Sequence, residues 1–188
     1  MENEKLIFSR EWLGLPKGEF KMLVMIADKG KSIGNLSDMC RYFKCTPQSA
    51  TKNRLREALM FLDKRGIIKL SHKGLRYSAP LRYSISDGDR IEIKRKYITE
   101  IRQHNYSRSV SWEKVLKVYL WTLCNANTQF TNRDLEKELG ASESTLSEAK
   151  SVLIELGAIA IDYVHTVKGE RIYRCGQIAD PSAFWYNV

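Results

Sequence analysis

The chain reads as an α+β fold, mainly α, built from two successive modules that each combine three helices with a small antiparallel β-hairpin. Two observations predict this. In both halves, apolar residues recur at helical spacing over three stretches, and the third ends on a glycine followed by a β-rich run. The two copies also share one phase. Leu55 and Leu146 lie eleven residues before Gly66 and Gly157, Ala58 and Ala149 eight, and Leu62 and Leu153 four. One amphipathic helix is weak evidence, but an ordered set in matching phase is hard to produce by chance.

A length of 188 residues fits one large domain or two small ones. With 43% hydrophobic and 28% charged residues, the chain can bury a core. The expected division is a basic first module over 1–86, a connector over 87–111, a second module over 112–175 and an aromatic tail over 176–188.

In the first copy, Phe20, Leu23, Val24 and Ala27 predict a helix over about Lys17–Asp28. Leu36, Met39 and Phe43 predict a second helix with Asn35 as N-cap. Thr46 followed by Pro47 reads as the N-cap and first turn of the third, whose buried stripe is Leu55, Ala58, Leu59 and Leu62. Gly66 stands where a helix end favours a left-handed residue. Ile67–Leu70 is expected as a strand, His72–Leu75 as a turn, and Arg76–Ile85 as the returning strand.

The second copy opens with a helix from Trp112 to about Ala126. Thr131 caps a short helix ending near Leu139-Gly140, and Ser142 caps the third, with Leu146, Ala149, Leu153 and Leu156 as its stripe. Gly157 ends it. Ile159–His165 and Arg171–Cys175 are expected to flank a Lys168-Gly169 turn. In the connector, Asp87-Gly88-Asp89 signals a turn, and Arg90–Arg102 reads as a strand leading into a helix.

Charge is distributed unevenly. Residues 1–86 hold 17 Lys/Arg against 8 Asp/Glu, 87–111 hold 6 against 4, and 112–188 hold 8 against 10. A positive field confined to one module points to a polyanionic partner for that module.

Both copies resemble the winged helix-turn-helix superfamily, whose third helix runs into a leucine, three residues, a glycine and two β-formers. Here that pattern is Leu55, Ala58-Leu59 and Leu62-Asp63-Lys64-Arg65-Gly66-Ile67-Ile68. The second copy carries Leu146, Ala149 and Leu153-Ile154-Glu155-Leu156-Gly157-Ala158-Ile159, departing at Lys150, where a leucine is usual. The two-domain layout is similar to that of plasmid and phage replication initiators, with Leu6-Ile7-Phe8 as a short strand ahead of the first helix. A transcriptional regulator is the competing role.

The resemblance implies duplex DNA as partner, with the third helix of the first module in the major groove. Its face away from the core carries Gln48, Ser49, Lys52, Asn53 and Arg56, with Arg54 beside it, while Lys73 and Arg76 lie on the wing and His72 beside them. Gln and Asn pair bidentately with adenine and Arg with guanine, while Lys and Ser hold phosphates. The third helix of the second module instead exposes Glu143, Ser144, Ser147, Glu148 and Ser151, with Lys150 as its only cation. Weak DNA binding or self-association is therefore expected of that module. Trp112, Tyr119 and Trp121, and the tail Phe184-Trp185-Tyr186, offer apolar area for a homodimer.

Other classes find little support. No glycine-rich phosphate loop, G-x-S-x-G turn, H-E-x-x-H helix or paired-acid cluster stands out, so no enzymatic activity is expected. Cysteines 40, 45, 124 and 175 and histidines 72, 104 and 165 are scattered without zinc spacing, so no metal or other cofactor and no small-molecule ligand is expected. No apolar run approaches the roughly 18 residues that span a bilayer, and Met1-Glu2-Asn3-Glu4-Lys5 lacks a signal-peptide pattern. A cytoplasmic protein, bacterial or nucleoid-associated, is the expectation. The alternative is a tandem winged-helix interaction subunit that binds protein rather than DNA.

Overall fold

The computed structural model describes residues 5–30, 32–82, 89–106, 110–126, 128–168 and 170–176. Its elements in chain order are β1 (Lys5–Ser9), a 3-10 turn (Arg10–Gly14), α1 (Lys17–Lys29), β2 (Ser32–Gly34), α2 (Leu36–Tyr42), α3 (Ser49–Lys64), β3 (Ser71–Lys73) and β4 (Arg76–Ser78). Then follow β5 (Arg90–Lys94), α4 (Arg95–Gln103), α5 (Trp112–Cys124), β6 (Gln129–Phe130), α6 (Asn132–Leu139), α7 (Glu143–Glu155), β7 (Ala160–Val167) and β8 (Glu170–Gly176). The fold is α+β and mostly helical, with small antiparallel sheets. No helix among the described residues is long and apolar enough to cross a membrane.

The chain forms two compact units, one of residues 15–88 and the other of 1–14 with 89–188. This differs from the expected division. The first fourteen residues do not join the module that follows them, because β1 pairs antiparallel with β5 in register Phe8 to Ile91 and Leu6 to Ile93. Phe8, Ile91 and Ile93 are buried, so the pairing hides apolar surface that either strand alone would leave in water. The connector 89–106 is a strand and a helix, as its alternation predicts.

In unit 15–88, α1 is buried along Phe20, Leu23, Val24 and Ile26, and α3 along Ala58, Leu59 and Leu62. Leu55, expected in that stripe, is only half-buried. α2 opens with a capping box: Asn35 Oδ1 accepts from the Ser37 and Asp38 amides at 2.8 and 3.0 Å, and Asp38 Oδ2 accepts from the Asn35 amide at 2.9 Å. α3 starts at Ser49, two residues later than expected, with Gln48 rather than Thr46 in the capping position. The sheet order is β2-β4-β3. Ile68 makes an isolated bridge to Leu81 rather than starting a strand, and β3 begins at Ser71. The returning strand ends at Ser78, and 83–85 lie outside the described residues.

The second unit repeats this order in α5, β6, α6, α7, β7 and β8, with sheet order β6-β8-β7. α6 opens with the same box, Thr131 Oγ1 accepting from the Asp134 amide at 3.2 Å and Asp134 Oδ2 from the Thr131 amide at 2.7 Å. Both third helices also end alike. Ile67 and Gly66 amides donate to Leu62 and Asp63 carbonyls, and Ala158 and Gly157 amides donate to Leu153 and Ile154 carbonyls. This paired closure needs a left-handed residue, which Gly66 and Gly157 supply at φ 72° and 62°.

Candidate nucleic-acid interface

Because Ala58, Leu59 and Leu62 face the core, the opposite side of α3 faces solvent. Ser49, Asn53 and Arg56 lie on it at helical spacing and are exposed, as are Gln48 before the helix and Arg54 beside the stripe. Arg56 Nη1 donates to Asn53 Oδ1 at 3.1 Å. With its carbonyl engaged, the Asn53 amide nitrogen is left to donate outward, and the guanidinium is steadied beside it. Lys52 departs from expectation: it is half-buried and close enough to Cys40 for its charge to oppose the upward push that burial gives that thiol. Of the two carboxylates on this helix, Glu57 is the exposed one and the one an anionic partner must avoid, while Asp63 is half-buried.

The hairpin leaves the end of α3 at a fixed point, since the Leu70 amide donates to Asp63 Oδ1 at 2.8 Å. Its turn is tighter than expected. His72 and Lys73 belong to β3, and only Gly74-Leu75 separate the strands. Lys73 and Arg76 face each other across the register and are exposed, while His72 lies against Tyr77 with ring centroids 6.1 Å apart.

No family model matches the chain, and it has no match among curated proteins.

Two further features of this unit stand outside the expected set of residues. Met60, 59% exposed, continues the Asn53–Arg56 stripe by one more turn; its spacing was the available signal. Lys29, Arg41 and Arg76 gather around one cavity, and their separation in sequence carries no signal.

The corresponding helix of the second unit offers a different surface. Glu143, Ser144, Ser147 and Ser151 are exposed and Glu148 is half-buried, but Lys150 is not on the surface. It is 7% exposed, donates to Asn132 Oδ1, and lies 4.7 Å from the centroid of the Tyr173 ring. The expected surface cation is a core residue, because it stands in the position that Leu59 holds in α3. Tyr119 and Trp121 are likewise buried, their rings packed on Tyr97 and Phe130, so they offer no interface area. Trp112 is half-buried, and Phe184-Trp185-Tyr186 lie outside the described residues. Cys40 is buried and Cys45 and Cys124 half-buried, all as free thiols.

Proposed function

We propose that the chain is a sequence-specific duplex-DNA-binding protein of two tandem winged-helix domains, acting in replication initiation or transcription regulation in the cytoplasm. The first domain inserts α3 into the major groove. Gln48, Asn53 and Arg56 address base edges, while Ser49, Lys52, Arg54, Lys73 and Arg76 hold phosphates. The observation that carries this reading is the exposed Ser49–Asn53–Arg56 stripe, with Arg56 bonded to Asn53, in the unit that holds all of the net charge. Residues 15–88 contain 15 Lys/Arg against 6 Asp/Glu, and the rest of the chain 16 against 16.

The test is binding of the whole chain to random duplex DNA across a salt series, then to a site selected from that pool. Each phosphate contact contributes roughly 0.9 to the slope of log K against log salt. Arg56→Ala is expected to cost about 1–3 kcal/mol on the selected site and little on random DNA. An equal loss on both would move Arg56 from base to phosphate. Absence of any binding at low salt would sink the DNA reading and leave the protein-interaction subunit.

A further inference from the structure

Away from the α3 stripe, the unit of residues 15–88 contains a cavity of about 460 Å³ between the end of α1, β2, α2 and β4. Three cations from three elements line it: Lys29, Arg41 and Arg76. One carboxylate, Asp38, lines it too, but its oxygens are already engaged, Oδ2 by the Asn35 amide at 2.9 Å and Oδ1 by Arg41 at 3.3 Å. The Arg41 side chain nevertheless remains 82% exposed and keeps most of its donor fork toward solvent. Met25 and Ile33, both buried, contribute apolar lining. Tyr42 stands at the side, its hydroxyl donating to Asp28 Oδ2 at 3.0 Å, with the Lys29 ammonium 5.7 Å from its ring centroid.

We propose that this cavity is a phosphate-ester site that takes the phosphate and sugar of one nucleotide. Guanidinium groups match a phosphate bidentately, and three cations against one committed carboxylate leave an excess of positive charge. The apolar lining favours an ester with a carbon body over a bare inorganic anion. That nucleotide comes either from the backbone of a bound duplex or from a free mononucleotide, and both present the same group to Lys29, Arg41 and Arg76. The duplex source rests on the DNA-binding reading; the free source stands without it.

Both sources are tested on the whole chain with Lys29→Gln and Arg41→Gln, two exposed positions whose exchange leaves the capping box of α2 intact. Calorimetry without DNA compares AMP, inorganic phosphate and adenosine, while a salt series measures duplex binding. If the source is free nucleotide, AMP binds more tightly than phosphate or adenosine, and Arg41→Gln weakens it roughly tenfold or more by removing a charge-assisted hydrogen bond. If the source is the duplex, AMP is silent and each variant lowers the salt slope by about one on every sequence alike. Duplex binding with unchanged slopes and no AMP binding overturns the cavity site while sparing the DNA reading. AMP binding that depends on Arg41, with no duplex binding, does the reverse. A chain that takes neither ligand loses both.

Discussion

Lys150 and Leu59 stand seven residues before their glycines and occupy equivalent positions in α7 and α3, yet one is a cation. A lysine 93% removed from solvent gives up hydration that its buried partners, the Asn132 carbonyl and the Tyr173 ring among them, have to replace. Lys150→Met fills the same slot without the charge; the half-buried Asn132 carbonyl loses that donor, while its amide nitrogen still donates to Glu143 at 2.8 Å. The expected outcome is a gain of about 1–2 kcal/mol in chemical denaturation. Gly34 argues the other way. Its φ of 79° suits glycine, and an added Cβ would lie 2.7 Å from Asp38 Oδ2, the atom that closes the capping box of α2. Gly34→Ala is expected to lose about 1–3 kcal/mol, measurable as a lowered midpoint in urea.

At the level of elements, the strand pair β1–β5 is where local sequence is least informative. Leu6-Ile7-Phe8 announces a strand, but its partner lies more than eighty residues away, Lys5 pairing with Lys94 and Ser9 with Arg90. Phe8 is fully buried, edge-on to Trp12 with centroids 5.8 Å apart, so its removal leaves a cavity rather than a relaxed surface. Phe8→Ala is expected to cost about 3–5 kcal/mol, and hydrogen exchange should show the β5 amides losing protection first. A fragment cut after residue 86 separates β1 from β5, which is why the proposed DNA binding is to be tested on the whole chain.

For the molecule as a whole, charge and protonation set the conditions under which it works. The entire excess of positive charge lies in residues 15–88, so the proposed binding of a polyanion is expected to weaken steeply with salt. Stability at alkaline pH depends on neutral groups held wholly or partly out of water. Burial pushes the Cys40 and Cys124 thiols above their ordinary 9.0 and raises the Tyr106 phenol well above its ordinary 10.0, with Glu113 adding to the last. Each folded-state value exceeds the unfolded one. The unfolded chain therefore loses these protons first, and stability declines as pH rises past about 9. Lys117 opposes this: burial lowers its value below 10.5, so its contribution rises with pH toward that value. Thermal melts between about pH 8 and 10.5 should fall, and Cys124→Ala should flatten the fall; an unchanged slope in that variant would remove Cys124 as a cause.

Much of the architecture was legible because it depends on neighbours in the chain. Helix periodicity, the caps at Asn35 and Thr131, and the terminal glycines 66 and 157 act within a turn or two, and the structure places them where local chemistry puts them. The exposed side chains of α3 followed from its stripe by simple opposition, apart from half-buried Lys52. Other features needed the fold. The pairing of β1 with β5, the short strands β2 and β6, the burial of Lys150 and the meeting of Lys29, Arg41 and Arg76 join residues by packing and not by spacing. Local rules decide which segments are helices and where they stop; only the burial of apolar surface across long separations decides which strand finds which partner and which charges share a cavity.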